Sequence, residues 1–405
     1  MNPKFIIQPE WLFTGEHNGF AKNTAIVCEE GKIKELIPSS SVPEESEYQA
    51  LQYPGHTLLP GLIDAHVHLT MCGCCSPRQH MMKESDELLL LRASFNARLL
   101  IEWGITTARD CGDRNGVTFH LREAIQAGII PGPHLLLAGP PLTSPRGHCY
   151  FMMGEVADRE HIEKRIAKAA RQGADFIKVM LTGGGLTPGT DSLGLQFAQE
   201  DLEFLVTAAK NYGLYVSAHA HSPEAISLAA LSGVRTIEHA SFVDRKKGVM
   251  ADPNILKTVK ENGSVIVPTN IPAFNAVQMN RQLGLAKEIG ISSDEFLNNR
   301  MKVTSQLMAK EISLISGSDA GATNVSFRDV KGEIKFMKHV GMDASKALAT
   351  ATGLAATALG LPLTGKISRG YVADLLLAEG NLENDLEVLE NVKGVWKNGN
   401  RIKNN

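Results

Sequence analysis

Eight short apolar segments recur between residues 62 and 319, and stretches with helical periodicity separate them. The segments are LIDAHVHL, TTARDC, HLLLAG, FIKVMLT, YVSAHA, RTIEHAS, SVIVPT and ISLISGSD, in chain order. Amphipathic helices are predicted after several of them, for example over residues 86–102, 159–172 and 200–212. The repeat predicts an α/β fold built as a (β/α)8 TIM barrel, with its chemistry at the carboxyl ends of the strands. A doubly wound open sheet is the competing architecture, but no GxGxxG follows the first segment.

Both ends of the chain show a different pattern, in which short β-rich runs alternate with turn residues. The runs are FII, WLF, AIVCE and KIKELI near the start, and GKISRGYVADLLLAEG and VKGVWKNGNRI near the end. Glu30-Gly31-Lys32 and Asn398-Gly399 predict hairpin turns. We therefore expect residues 1–57 and 366–405 to form one small β-sandwich, and residues 58–365 to form the barrel.

Composition narrows the class of protein. With 405 residues, 43% of them hydrophobic, the chain can bury a large core, and a net charge of -3 with no long basic run argues against nucleic-acid binding. No apolar stretch reaches the roughly 18 residues of a membrane span, and no signal peptide is evident, so we expect a cytoplasmic protein without membrane contact. Three of the six cysteines lie in CGCC, a spacing that predicts free thiols in a reducing compartment.

Polar residues stand in or directly after several of the strand segments. They are His66 and His68 after the first, Lys178 in the fourth, His219 and His221 after the fifth, His239 after the sixth and Asp319 after the eighth. Side chains alternate along a strand, so His66 and His68 share a face and can bind one metal ion. A single histidine at a strand end is more often a hydrogen-bonded structural residue. Together, however, these histidines and the aspartate form the nitrogen and oxygen set that zinc or a similar divalent ion prefers.

Lys178 is unusual because the segment FIKVML places an ammonium group inside an apolar strand. Burial and nearby cations would favour the neutral amine. A neutral amine can react with CO₂ to give a carbamate, which resembles a carboxylate and can bridge two metal ions. The alternative is a lysine paired with an interior aspartate or glutamate.

These segments together resemble the amidohydrolase superfamily, and the resemblance covers nearly all of the chain. PGLIDAHVH is similar to the first-strand motif of the superfamily, and GADFIKVMLTGG, VSAHAHSPEAI, GVRTIEHAS and SGSDAG resemble its fourth, fifth, sixth and eighth. Within the superfamily the segments look most like the imidazolonepropionase-related group. That group contains binuclear zinc dipeptidases that act on Xaa-Pro or Xaa-Arg/Lys and carry a carboxylated lysine.

The resemblance implies two divalent metal ions, taken as Zn²⁺, and a CO₂-derived carbamate on Lys178 that bridges them. The implied ligands are His66, His68 and Asp319 for the first ion and His219 and His239 for the second. Chemistry alone does not choose between His219 and His221, since they share a face; the family pattern selects His219. His221 is then a contact to a metal ligand or to the substrate, or else a solvated loop residue.

His148, in TSPRGHCYF, occupies the place where the related dipeptidases carry a GGHG-like loop. The resemblance implies that it binds the substrate and helps to polarise its carbonyl group. This chain departs from the pattern and reads SPRGHC, which adds Arg146 two residues earlier. Arg146 is either a cation that contacts a substrate carboxylate or an exposed loop charge.

The implied function is metal-dependent hydrolysis of an amide C–N bond in a small-molecule substrate, a dipeptide or an N-acyl amino acid. A hydroxide bridging the two ions would attack the carbonyl carbon, and Asp319 would pass the proton to the leaving amine. The resemblance also implies a homo-oligomer.

Three alternatives remain open at this stage. Carbamates, ureas, lactams and esters present a similar carbonyl group to the metal centre. A mononuclear deaminase of the same superfamily is a second possibility, because HSPE places Glu224 where such enzymes have a proton-shuttling glutamate, although it can equally begin a helix. A non-catalytic scaffold is the third, but every expected ligand is present in the sequence.

Overall fold

Strands and helices alternate along most of the chain. The computed structural model describes residues 4–43 and 47–404. The strands are β1 Phe5–Phe13, β2 Phe20–Lys22, β3 Thr24–Glu29, β4 Lys32–Pro38, β5 Gln49–Pro60, β6 Leu62–Val67, β7 Ile105–Asp110, β8 His134–Leu137, β9 Phe176–Met180, β10 Tyr215–Ala220, β11 Thr236–His239, β12 Val243–Asp244, β13 Gly248–Val249, β14 Val265–Val267, β15 Leu375–Glu379, β16 Val392–Lys397 and β17 Asn400–Asn404.

Most of the helices fall between consecutive strands of the middle region. They are α1 Pro77–Lys83, α2 Asp86–Glu102, α3 Val117–Gln126, α4 Arg159–Arg171, α5 Gln199–Asn211, α6 Pro223–Leu231, α7 Pro253–Glu261, α8 Ile271–Gln278, α9 Gly284–Glu288, α10 Ser293–Ala309, α11 Val330–His339, α12 Ala344–Ala349 and α13 Gly353–Leu359. Side chains fix the residue at which several of them begin, since Ser85, Asp158 and Ser292 each accept a backbone N–H of the first turn. The three helices predicted in the sequence are confirmed to within one residue.

Two parallel sheets form the middle region. One has the strand order β6-β7-β8 and the other β14-β11-β10-β9. Isolated parallel bridges join Leu142 to Val179, Ile266 to Leu314 and Val67 to Ala320, so the eighth predicted segment pairs only through such bridges. All residues of β6, β7 and β9 are buried, which explains why these strands read as nearly continuous apolar runs.

Strands from the two ends of the chain share one mixed sheet, with the order β17-β16-β15-β5-β1-β3-β4 and β2 beside β1. Both predicted hairpins are confirmed, and their turn residues Glu30, Gly31, Asn398 and Gly399 all have the positive φ that this turn requires. Alternate side chains separate two cores: Leu375 and Leu377 join a small apolar cluster, whereas Leu376 packs into the main core. A two-sheet sandwich with the bounds given above stays a prediction.

One expectation about the cysteines is wrong. Cys72 and Cys74 form a disulfide, with their Cα atoms 5.2 Å apart, whereas Cys28, Cys75, Cys111 and Cys149 are free. The intervening Gly73 has a φ of +61°, and a side chain there would meet the carbonyl oxygen of Val325. This local turn brings the two sulfur atoms together, and spacing statistics do not reveal it. Among the described residues, no helix has the length and apolarity needed to cross a membrane.

Candidate metal centre

One cavity of about 400 Å³ opens at the carboxyl ends of the parallel strands. The structure brings the whole set of predicted metal ligands to its wall, and two of the predicted substrate contacts with them. These residues are His66, His68, Lys178, His219, His239 and Asp319, together with His148 and His221. They meet because parallel strands end on the same side of the sheets. Their proposed roles stay predictions, but their convergence is an observed property of the fold.

Three of these side chains form a compact group. The Nε2 atoms of His66 and His68 each lie 3.5 Å from Oδ1 of Asp319. Hydrogen bonds on the opposite ring nitrogens fix this orientation, since Nδ1 of His66 lies 2.7 Å from the Glu238 carboxylate and Nδ1 of His68 lies 3.0 Å from the Gly112 carbonyl oxygen. An acceptor at Nδ1 selects the tautomer with a proton there. Both Nε2 lone pairs are therefore free to bind a cation.

A buried network of charged and polar side chains packs against the group formed by His66, His68 and Asp319. The Glu238 carboxylate accepts hydrogen bonds at 2.7 Å from Arg109, Ser217, Thr236 and His66. Burial alone would raise the pKa of Glu238, but the charge of Arg109, the nearby Lys178 side chain and the hydrogen bond from His66 hold it well below its usual value. Sequence reasoning missed Glu238 and Arg109. Their signal was a charged residue inside each of the apolar segments RTIEHAS and TTARDC.

Lys178 is buried, with 1% of its surface exposed, and its Nζ atom has no hydrogen-bond partner among the described residues. Burial lowers the pKa of the amine, although the negative charge of Glu238 opposes this effect. The alternative of a lysine in a direct ion pair with an interior carboxylate is not what the structure shows. A neutral amine with an available lone pair is the form that reacts with CO₂.

His219, His221 and His239 form a second group on the neighbouring strands. The ring centroids of His219 and His239 lie 4.5 Å apart, and those of His221 and His239 lie 5.0 Å apart. Burial lowers the pKa of His221 to about 3 and the pKa values of the other two well below the usual range. The neutral imidazole, which is the ligand form, is thus favoured in all three. Because His221 is buried and lines the cavity, it is not a solvated loop residue.

Hydrogen bonds also distinguish the members of this second group. Nδ1 of His239 lies 2.7 Å from Oγ1 of Thr269, and Nδ1 of His221 lies 2.9 Å from Oγ of Ser241, so each ring is oriented by a hydroxyl group. In His219 the Nε2 atom lies 3.0 Å from the carbonyl oxygen of Gly183. Ligation of a cation through that nitrogen would require the ring to give up this contact.

The backbone is strained where two of these residues leave their strands. His239 has a φ of +67° and Asp319 a φ of +62°, a region that costs about 1–3 kcal/mol for a residue with a side chain. Arg300 holds the first of these bends by donating hydrogen bonds to the carbonyl oxygens of His239, Ala240 and Pro268 at 2.7–2.9 Å. These contacts thus hold the backbone at His239, whose side chain lines the cavity.

His148 is buried, and its ring centroid lies 4.7 Å from that of His219. Within the described part of the chain the Nδ1 atom of His148 has no hydrogen-bond partner, and burial lowers the pKa of this residue to about 3. The structure does not bring Arg146 to the cavity: the residue is exposed, and only its backbone N–H is held, by Glu155 at 2.6 Å. Glu224 is also exposed, in the first turn of α6, which matches the helix-start interpretation and not that of a proton shuttle.

Comparison with known proteins decides the family. A model of the amidohydrolase family matches residues 57–402. The chain belongs to the amidohydrolase family. The predicted superfamily is thereby confirmed, and with it a TIM-barrel-type α/β fold and hydrolysis of C–N bonds as the general activity.

Individual relatives of this amidohydrolase span nearly its whole length. Ochratoxinase of Aspergillus niger is 25% identical over 421 residues, covering 94% of this chain and 83% of that protein. The crystal structure of a Xaa-Pro dipeptidase with bound methionine in the active site has a TM-score of 0.88 at 28% identity, covering 99% of this chain and 100% of that one. The crystal structure of A. niger ochratoxinase has a TM-score of 0.86 at 23% identity, covering 99% and 96%, and shows the same fold.

The outer wall of the amidohydrolase's cavity is mostly apolar. Its apolar side chains include Met180, Leu186, Leu283, Leu285 and Phe296. Arg281, in the segment between α8 and α9, adds a cation to this wall, and no ion pair to it occurs in the described part of the chain. Sequence reasoning did not single out Arg281. An arginine without an acidic partner is available for a ligand carboxylate.

Proposed function

We propose that this amidohydrolase cleaves the amide bond of dipeptides or N-acyl amino acids with the help of two Zn²⁺ ions. One observation carries the metal part of the proposal: Nε2 of His66 and Nζ of Lys178 are buried polar atoms without a partner, and both belong to residues of the cavity wall. Buried polar groups are normally hydrogen-bonded, so two unpaired nitrogen atoms with available lone pairs at one site suggest a missing partner.

The residues fit divalent cations. His66, His68 and Asp319 offer ligand atoms that lie within 4.8 Å of one another, and they would hold the first ion. His219 and His239 would hold the second, and Lys178, once carboxylated, would bridge the two. Neutral imidazoles and carboxylate oxygens suit Zn²⁺. Bound there, the ions would polarise the substrate carbonyl and lower the pKa of water at the site.

The chain's own groups would then handle the proton and the substrate. In the metal-free chain burial raises the pKa of Asp319 to about 7. At the edge of the metal centre its carboxylate would be placed to accept a proton from water. It would carry the proton from the attacking water to the leaving amine. His148, with an unpaired ring nitrogen in the cavity, would donate a hydrogen bond to the substrate carbonyl oxygen from whichever nitrogen carries its proton.

The cavity wall suggests the substrate class. Arg281 would bind the free carboxylate of the leaving amino acid, and the apolar side chains around it would contact its side chain or the acyl group. The name of one relative, a Xaa-Pro dipeptidase, fits substrates of this kind. We therefore assign to Arg281 the contact to the substrate carboxylate that the sequence suggested for Arg146.

We also infer that the eight parallel segments close into one (β/α)8 barrel. The bridges from Ile266 to Leu314 and from Val67 to Ala320 support closure, because they connect the two parallel sheets through the eighth segment. The composite terminal sheet would then be the smaller domain.

Metal analysis and a matched substrate series test the proposal. Purified protein should contain about two zinc equivalents per chain. It should hydrolyse N-acyl amino acids faster than the corresponding C-terminal amides. Arg281→Met should reduce kcat/KM for the free acids by roughly 10- to 100-fold, the effect of losing a charged hydrogen bond worth about 1.5–3 kcal/mol, and should leave the amides unaffected.

Arg146→Met is the matched control, because it removes the same charge from an exposed position outside the cavity. It should retain wild-type rates on both substrates. Equal losses in the two variants, or one zinc equivalent with turnover of an amino-substituted heterocycle, would contradict the proposal.

A further inference from the structure

A second group of potential metal ligands lies outside the catalytic cavity. Cys72, Cys74 and His80 offer ligand atoms that all lie within 4.8 Å of one another. The two cysteines follow β6 directly, and His80 belongs to α1. None of the three lines the cavity, and all are partly or fully accessible to solvent, so a cation could reach them.

The surroundings of these side chains suit a thiolate and imidazole site. The backbone N–H of Cys74 donates to Sγ of Cys72 at 3.4 Å, and the backbone N–H of Ser76 donates to Sγ of Cys74 at 3.5 Å. Such hydrogen bonds stabilise negative charge on sulfur. Nδ1 of His80 lies 2.9 Å from the Glu84 carboxylate, so the proton resides on Nδ1 and the other ring nitrogen keeps its lone pair.

Arg92 in turn fixes Glu84, since its Nε atom donates to Oε2 at 3.0 Å. The imidazole of His80 is thereby oriented through two successive contacts, a carboxylate and a guanidinium. This arrangement of a histidine with a carboxylate behind it is common at zinc sites.

The same segment is tied to the loop that carries Asp319. The backbone N–H of Gly73 donates to the carbonyl oxygen of Gly321 at 2.9 Å, and that of Asn324 donates to the carbonyl oxygen of Cys74 at 3.0 Å. Asn324 is part of the cavity wall. A change at the two sulfur atoms would therefore reach the wall of the catalytic cavity through one or two hydrogen bonds.

We propose that Cys72, Cys74 and His80 form a separate zinc site, which is available when the disulfide is reduced and which fastens the segment after β6 to α1. Reduction adds two electrons and two protons to the disulfide and gives two thiols; a phosphine supplies the electrons and becomes a phosphine oxide with the oxygen of water. Binding of Zn²⁺ then releases the two thiol protons. A water molecule would complete the fourth position.

Cobalt substitution distinguishes this site from the catalytic one. Co²⁺ bound to thiolates absorbs through sulfur-to-cobalt charge transfer, and the proposed catalytic ligands contain no sulfur. The experiment is an anaerobic Co²⁺ titration of the full chain, before and after reduction with a phosphine. The reduced protein should bind about one more equivalent than the oxidised protein and should gain the charge-transfer band.

Variants identify the residues that produce the charge-transfer band. Cys74→Ser should abolish it and His80→Ala should weaken Co²⁺ binding at this site, whereas Cys75→Ser, the neighbouring free and exposed thiol, and Cys149→Ser, the thiol of the cavity wall, should both keep it. No additional equivalent after reduction, a band that persists in Cys74→Ser, or a band lost in Cys75→Ser or Cys149→Ser would overturn the proposal. Because the readout is absorption, it is independent of whether the catalytic assignment is correct.

Discussion

Replacing Glu238 with glutamine should weaken metal binding although it removes none of the proposed ligands. The carboxylate balances the buried Arg109 and orients His66, with both contacts at 2.7 Å. Glutamine has nearly the same shape but carries no charge, and its amide NH₂ replaces one of the two oxygens that accept from Arg109 and His66. Loss of one partner from a buried ion pair typically costs about 3–5 kcal/mol of folding free energy. Loss of the group that orients a metal-binding histidine typically reduces metal affinity by about 10- to 100-fold.

Two measurements separate these effects. Urea denaturation of the metal-free protein gives the free energy of unfolding, and competition with a chromophoric chelator gives the zinc affinity. Ser217→Ala is the matched control, because it removes one hydrogen bond to the same carboxylate and leaves the contacts to Arg109 and His66 in place. It should cost about 1 kcal/mol of stability and leave the zinc affinity close to that of the wild type.

The two variants together can refute the reasoning. If Glu238→Gln bound zinc as tightly as the wild type, Glu238 would not orient His66 in the way that the geometry indicates. If Ser217→Ala lost as much zinc affinity as Glu238→Gln, the effect would come from general loosening of the strands and not from the carboxylate.

Three other changes test separate parts of the centre. Lys178→Ala should lose metal and activity, with partial rescue by added short-chain carboxylates; an active, fully metallated variant would refute the carbamate. Arg300→Met should lower the free energy of unfolding by about 3 kcal/mol or more, because three backbone carbonyls lose a charged donor, and an unchanged urea midpoint would contradict this. Burial lowers the pKa of His148 to about 3, so below about pH 6.5 the unfolded chain takes up a proton that the folded chain does not. The free energy of unfolding therefore decreases as the pH is lowered through this range. His148→Gln should therefore reduce the slope of stability against pH of the metal-free protein by about 1.4 kcal/mol per pH unit between pH 4 and 6, and equal slopes would exclude a buried neutral imidazole.

The part of the site that could be predicted follows from regular structure. His66 and His68 lie two residues apart at the end of a strand, so their common face follows from the period of a strand alone. The convergence of Lys178, His219 and Asp319 on the same cavity follows from the parallel direction of the segments that carry them. These rules depend on the backbone and not on the details of packing, and for this reason short motifs were sufficient.

The residues that were missed depend on contacts between distant parts of the chain. Glu238 was visible only as a charge next to a predicted ligand, and its partner Arg109 lies 129 residues away in sequence. Arg146 was chosen because it is close to His148 in sequence, but a φ of +58° and an exposed position place it outside the cavity. Nearness along the chain is a poor guide in loops, where side-chain direction does not alternate in a regular way.

Arg281 shows why the substrate is harder to read from this sequence than the metal centre. The proposed ligands stand on or next to strands of the parallel sheets, whereas Arg281 belongs to a segment between two short helices, α8 and α9. Its direction therefore depends on how these helices pack on α10, and few sequence rules govern such packing. The sequence of such a segment can change during evolution without disturbing the strands beneath it. Members of one family can thus keep one centre and act on different amides, and we expect changes confined to residues 279–285 to alter substrate preference while zinc content stays constant.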